Sequence, residues 1–457
     1  MKCCAVFSFC LALFPVAFCT ADSKPNFIVI MTDDQGYQDV GCFGSPNIKT
    51  PHLDQMAVDG MKFTDFYSMA PICSASRAGL LTGCYPPRVG IVGAYFPHDT
   101  TGLHPDEITI AEILKTRGYV TACVGKWHLG HLRKFLPTNQ GFDSFFGLPY
   151  SNDMDPVKTV KRDLDRAYIK NDMSRWNVPL MRHEAIIERP VHQPTLTRRY
   201  TEEAVKFIDD NNEKPFFLYL PHTMPHIPIF VSENFRTDDP AKAYKRCIEE
   251  IDWSVGRVLE AVKRNGIDEN TLIVFTSDNG PWLKLKPPYF GGSARPLRAG
   301  KFTTYEGGMR VPAIARWTGR IPAGSNCDQV AGTFDLLPTF AGLAGASLPA
   351  NKIDGLDIWP LMSGRSKVSP HEVFYYFQVG GRLQSMRKGK WKMRLPETAA
   401  QGVTENTTPA ELYDLSIDVG EQHNVGSEYQ SLVANLVKEA QAFEESLKSE
   451  ARPEGRL

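Results

Sequence analysis

Asn26-Phe27-Ile28-Val29-Ile30-Met31-Thr32-Asp33-Asp34-Gln35-Gly36 is the stretch whose reading decides the fold. Phe27–Ile30 is apolar without a polar break and largely β-branched. That is the pattern of a strand buried on both faces, as in a parallel sheet, and it ends in two adjacent carboxylates. Leu272–Thr276 repeats the pattern and runs into Ser277-Asp278-Asn279-Gly280, and Phe216–Leu220 and Tyr119–Val124 read as further strands. Helical stretches lie between them. Thr50–Gly60 opens on Thr50-Pro51, a cap followed by a first-turn proline. Thr109–Thr116 and Thr201–Asp210 follow, and then Ala243–Asn265, where Ile248, Ile251, Val255, Val258, Leu259 and Val262 recur at helical spacing. Strands alternating with helices predict an α/β fold with a large, mostly parallel mixed sheet flanked by helices. In such sheets the site forms where loops leave the carboxyl ends of the strands.

Outside this core the chain divides by composition. Lys2 and the apolar run from Cys3 to Cys19 read as a secretory signal over residues 1–21. Residues 22–365 form the expected catalytic α/β domain. From 366 to 457, the pieces Phe374–Gln378, Gln384–Arg387 and Lys390–Leu395, with Gly380-Gly381 and Gly389 as turns, predict a small antiparallel sheet. Ser427–Ser449 predicts a helix packed on it. Pro149–Pro194 and Pro281–Leu297 lack regular pattern and read as long surface loops that shape a pocket.

The chain has 457 residues, 51 Lys+Arg against 52 Asp+Glu, and no later apolar run long enough to span a bilayer. Charge balance gives no basic surplus for nucleic acid. Four of the ten cysteines lie in the signal; the remaining six are scattered, without a C-x-x-C pair, which excludes a disulfide scaffold and a zinc site of that type. Asn406-Thr407-Thr408 is a glycosylation sequon in a eukaryotic host.

Asp33, Asp34, Asp278 and Asn279 offer three carboxylates and an amide oxygen at two strand ends. Adjacent carboxylates repel unless a cation lies between them, and hard oxygen ligands suit Ca²⁺, with Mg²⁺ the alternative, over zinc. Cys73 opens a Ser-rich helical turn, and Arg77, four residues on, shares its face and would lower a thiol pKa, but thiol physics alone favours a half-buried cysteine at a helix start over a reactive one. Lys126 and His128, two apart, face one side of an extended segment. His226 lies between Pro225 and Pro228, and His222 is the nearby histidine read as structural.

Cys73-Ser74-Ala75-Ser76-Arg77 with Leu80-Leu81-Thr82-Gly83 resembles the signature of type I sulfatases, within the alkaline phosphatase superfamily. The likeness continues through Asn26–Gly36, Gly125–Gly130 (Gly-Lys-Trp-His-Leu-Gly), Pro225–Pro228, Thr276–Gly280, Arg298–Gly308 and Glu411–Leu415. Ala75 departs from the family's usual proline and leaves open which maturation enzyme acts. The resemblance implies an alkaline phosphatase-like fold and a sulfuric ester hydrolase whose Cys73 is oxidised to formylglycine by a formylglycine-generating enzyme. It implies Ca²⁺ on Asp33, Asp34, Asp278, Asn279 and the modified Cys73. His226, assisted by Lys301, would protonate the leaving oxygen, and His128 would deprotonate the second hydroxyl of the hydrated aldehyde. Arg77 and Lys126 would hold the diol and the charged oxygens. Glu306 and Arg310 would stitch the loop together. The expected substrate is a sulfated carbohydrate, with Trp176, Trp282 and Tyr289 as candidate sugar contacts. The expected location is secreted or periplasmic, or lysosomal in a eukaryotic host. The rival readings are a phosphomonoester or phosphonate hydrolase of the same superfamily and a catalytically silent glycan-binding protein.

Overall fold

The computed structural model describes Met1 and residues 24–396 and 409–457. The expected signal and the 406–408 sequon lie outside the described residues. Among the described residues, no helix is long and apolar enough to cross a membrane.

Five parallel strands form the centre of a ten-stranded sheet, in the order Thr271–Ser277, Asn26–Thr32, Phe216–Pro221, Val120–Lys126 and Ser144–Leu148. Every residue of Asn26–Thr32 is buried, as an unbroken apolar run requires. Its side chains alternate between two cores. Phe27, Val29 and Met31 join the helices Cys73–Thr82, Ile110–Lys115 and Leu336–Ala344 on one face. Ile28 and Ile30 join Pro51–Val58, Leu196–Asp210 and Ala243–Arg264 on the other. Ala313–Arg316 pairs antiparallel with Thr271–Ser277, which makes the sheet mixed, and Met61–Phe63 and Ser325–Cys327 complete that side.

On the opposite edge the stretch read as featureless, Pro149–Pro194, contains the helix Leu164–Lys170 and an antiparallel pair, Leu180–Arg182 and Ala185–Glu188, that extends the sheet. Ala185, Ile186 and Ile187 are exposed, so this edge buries too little to leave a periodic pattern in the sequence. Pro281–Leu297 has no regular element. Asp39 ties it down by accepting from the Ser293 amide at 3.0 Å and from the Tyr244 hydroxyl at 2.6 Å.

The second sheet is a four-stranded antiparallel meander of Val373–Phe377, Leu383–Lys388, Trp391–Arg394 and Glu411–Asp414. The helix Gln430–Ser449 packs on it through Leu436, Ala440 and Leu447, with Phe443 stacked on Tyr375 at 3.6 Å between ring centres.

Candidate functional site

Each of the five central strands delivers polar residues from its carboxyl end. Asp33 and Asp34 follow Thr32, Asp278 and Asn279 follow Ser277, and Lys126 ends its own strand with His128 just beyond. Ser151 and Asn152 follow Leu148, and His226 follows Pro221. A parallel sheet brings all these ends together, which is why residues far apart in sequence meet here. Cys73 opens the helix Cys73–Thr82 and is 3% exposed. Two non-glycine residues at the site hold left-handed backbone: Asp34 at φ 65° and His128 at φ 61°. Such conformations cost energy and persist where the surroundings impose them.

The buried ion pairs are dense. Arg77 donates from Nε and Nη2 to Asp278 Oδ2 at 3.0 and 2.9 Å, from Nη2 to Asp33 at 3.2 Å, and from Nη1 to the Lys126 carbonyl at 2.6 Å. Lys126 Nζ is paired with Asp33 and donates to Ser151 Oγ at 3.2 Å. Lys301 Nζ meets both oxygens of Asp34, at 2.6 and 2.8 Å. Three carboxylates thus face three cations. Burial alone would raise the Asp33 carboxyl, but Lys126, His226, Arg77 and Lys301 hold it well below the usual carboxylate range. Asp278, beside Asp33 and buried with it, is pushed up. Burial opposes the charge on Lys301, but Asp34 holds its ammonium above the ordinary lysine range.

As thiol physics alone favours, Cys73 is a packed cysteine at a helix start and Arg77 serves no thiolate. Burial pushes the Cys73 thiol up, and the cations that oppose this are Lys126 and Lys301. Arg77 directs its donors to the two carboxylates instead, because a buried carboxylate pair leaves no lower-energy place for a guanidinium. An unmodified Cys73 is therefore a protonated, poor nucleophile.

The donor set fits a hard divalent cation. Asp33 Oδ1 and Asn279 Oδ1 are buried without hydrogen-bond partners. Asn279 donates its amide to Asp34 Oδ1 at 2.8 Å and to the Gly280 carbonyl at 2.9 Å, which leaves its own oxygen as an unused acceptor. Orphaned buried oxygens are costly unless something binds them. Among the described residues, Asp33, Asp34 and His226 also place ligand atoms within 4.8 Å of one another, so His226 joins the expected ligands as a rival one.

His128 Nε2 lies 2.9 Å from the Tyr95 carbonyl; since a carbonyl only accepts, Nε2 carries the hydrogen and donates it. Nδ1 is buried and unpartnered, with its lone pair available. Burial, then Lys126 and Arg77, lower its pKa well below the ordinary histidine value. His226 lies with Nε2 3.7 Å from Asp34, and burial followed by Lys301 lowers its pKa. His222 stays in the core, 3.3 Å from Ser254, pushed down to about 4 by burial. Glu306 and Arg310 pair at 2.6 Å and bind no member of the cluster. Trp176 is buried against Phe230 and offers no sugar surface, and Tyr289 bonds Asp165. Of the three aromatics, Trp282 lies beside the site, 5.5 Å from Lys301 Nζ. The sequence reading missed Ser151, Asn152 and the Tyr95 carbonyl. The first two stand after a buried strand as Asp33 and Asp34 do, which is the signal that finds them.

The family model described as Sulfatase matches residues 25–346, and the one described as N-sulphoglucosamine sulphohydrolase, C-terminal, matches 300–446. Arylsulfatase A of Homo sapiens is 38% identical over 424 residues, covering 88% of this chain and 83% of that protein. N-acetylgalactosamine-6-sulfatase of Canis lupus familiaris is 40% identical over 390 residues, covering 81% and 72%. Among solved structures, the PsFucS1 sulfatase from Pseudoalteromonas sp. superposes with a TM-score of 0.81 at 28% identity, covering 94% of this chain and 92% of that one. Ps i-CgsB in complex with k-i-k-neocarrahexaose gives 0.78 at 31% identity, covering 92% and 93%.

Proposed function

The chain belongs to the type I sulfatase family of the alkaline phosphatase superfamily and is a sulfuric ester hydrolase, and from that premise we propose that it hydrolyses a sulfated carbohydrate through a formylglycine made from Cys73. The observation that carries the reading is the convergence of Cys73 with Lys126, Lys301, Asp33 and Asp278, in a cluster where one oxygen of Asp33 and that of Asn279 are orphaned. Asp33, Asp34, Asp278 and Asn279 would hold Ca²⁺, or Mg²⁺, together with the modified Cys73. The ion would supply positive charge that polarises a sulfate oxygen and favours an ionised nucleophile. The hydrated aldehyde carries two hydroxyls, one to displace the alcohol from sulfur and one whose deprotonation expels sulfate and restores the aldehyde.

The remaining chemistry falls to the chain. His226 protonates the leaving oxygen, with Lys301 beside it to stabilise the departing charge. The unpartnered Nδ1 of His128 takes the proton of the second hydroxyl, and its lowered pKa keeps that nitrogen free as a base. Lys126, donating to Ser151 and Asp33, stabilises charge on the sulfate oxygens, while Arg77 orients the carboxylates.

A carbohydrate is favoured by the relatives. One acts on N-acetylgalactosamine 6-sulfate by its name, and a neighbour at 31% identity is described with a neocarrahexaose bound. Secretion and maturation by a formylglycine-generating enzyme belong to the same reading, since sulfated glycans lie outside the cell and the aldehyde must be installed. The test is the mass of the tryptic peptide Phe63–Arg77 from protein made in its native host. A peptide lighter by the difference between CH₂SH and CHO is expected, and an unmodified cysteine would overturn the mechanism. Rates on a matched sugar sulfate and sugar phosphate should favour the sulfate; a phosphate preference would overturn the substrate.

A further inference from the structure

We propose that Asn152 is a positioning residue that fixes the tautomer and aim of His226, and through it the protonation of the leaving group. The inference rests on the proposed role of His226.

Asn152 is fully buried, and the orientation of its amide is set by its partners. Nδ2 donates to the Pro228 carbonyl at 2.9 Å and to Gln193 Oε1 at 3.1 Å. The Gln193 amide is in turn set, because its Nε2 donates to the Asn152 backbone carbonyl at 3.0 Å. Turning the Asn152 amide over would put oxygen against the Pro228 carbonyl, which can only accept. Oδ1 therefore faces His226 Nδ1, at 3.2 Å, and an amide oxygen only accepts. The hydrogen must lie on Nδ1. Ser151 Oγ, 3.4 Å from the same nitrogen, accepts from Lys126 on one lone pair and has a second that can accept from Nδ1–H, so it does not force a different assignment.

The consequence is at the other nitrogen. With Nδ1–H committed, His226 gives its proton from Nε2, the nitrogen on the Asp34 side. A hydroxyl oxygen on the modified Cys73 bonds to sulfur as the S–O bond to the alcohol breaks; the electron pair of the broken bond stays on the leaving oxygen, and the Nε2 proton of the doubly protonated ring joins that oxygen. The neutral ring left behind is the Nδ1–H form that Asn152 already binds, so no rearrangement accompanies the transfer. Gln193 and Pro228 hold Asn152 as Asn152 holds His226, and Asn152 bonds none of Asp33, Asp34, Asp278 and Asn279.

The experiment compares Asn152→Leu with wild type in kcat/KM, which reports the steps through S–O cleavage. The substrates are galactose 6-sulfate, whose alkoxide needs a proton to leave, and 4-nitrophenyl sulfate, whose phenolate does not. We expect kcat/KM for the sugar sulfate to fall about 100-fold and that for the nitrophenyl ester only a few-fold. Rates across substituted phenyl sulfates should depend more steeply on leaving-group acidity. Asn152→Asp, which keeps the acceptor for Nδ1 but turns an oxygen towards the Pro228 carbonyl, should recover only part of the sugar-sulfate rate. Equal losses on both substrates, or no loss on the sugar, would overturn the proposal. Should Asn152→Leu fail to fold, ¹⁵N-histidine NMR of the wild-type enzyme at a pH where the ring is neutral decides: a neutral His226 with its hydrogen on Nδ1 supports it, and one with its hydrogen on Nε2 overturns it. Wild-type enzyme inert on every sulfate ester would count against the proposed function, not against this assignment.

Discussion

Arg77 lies four residues after Cys73 on one helix face, a spacing that reads as a cation serving a thiolate, yet its guanidinium bonds Asp278 and Asp33. A buried charge network is held by all its members, so removing one cation leaves carboxylates unpaired at a cost of about 3–5 kcal/mol. Arg77→Met should therefore be destabilised by that order in calcium-free buffer. Calcium should restore more stability to the variant than to wild type, because the ion and the guanidinium neutralise the same oxygens. For wild type, a cation at 100 times its Kd adds about 2.7 kcal/mol. Thermal melts with calcium and with EDTA check both, and a melting temperature indifferent to calcium in either protein would remove the metal from the account.

At the scale of elements, the apolar runs located the strands because a strand buried on both faces has no other residues to use. The ends were less legible. Thr50 has cap chemistry, but its hydroxyl accepts from the Gly41 amide at 2.8 Å and bonds Asp54 at 3.1 Å, so a tertiary partner displaces the helix's own amides. The tertiary partner of Thr109 is an acceptor, the Gln140 carbonyl at 2.9 Å, so the hydroxyl keeps its lone pairs for the helix and forms the capping box with Glu112. Gly125, next to Lys126 in its strand, sits at φ 137°, and a Cβ there would lie 1.9 Å from the Pro221 carbonyl oxygen. That contact is backbone and cannot swing aside. Gly125→Ala should lose about 3 kcal/mol, the upper range for overpacking, as read from the urea midpoint. It should also lower kcat/KM on 4-nitrophenyl sulfate, because the strain falls beside Lys126.

Across the whole molecule, the two sheets are joined by buried charges far from Cys73. Lys392 of the small sheet pairs with Glu306 at 2.7 Å and Glu421 at 3.1 Å; Arg387 and Arg310 share Asp65 at 2.6 and 2.7 Å. Burial would raise the Glu306 carboxyl, but Lys392, Arg310 and Arg387 hold it well below the usual range. A depressed carboxyl contributes stability that is present above the unfolded value, 4.5, and is lost as pH falls below it. Lys392→Met should cost about 3–5 kcal/mol near neutrality. The gap from wild type should narrow as pH falls below about 4.5, and denaturant unfolding at pH 7 and pH 4 measures it. A gap independent of pH would mean that packing, not charge, joins the sheets.

The sequence by itself determined the strands, their parallel class and the polar residues at their ends, because burial on both faces demands apolar runs and polar residues can only follow them. It also marked Cys73, Lys126, His128, His226 and Lys301 through their motifs. What only the tertiary structure decided is which atoms meet. Arg77 and Asp278 are 201 positions apart, and Asn152 and His226 are 74 apart. Such pairs have no local spacing to betray them; they exist because five strand ends converge, and a buried donor or acceptor there must find whichever partner the packing supplies.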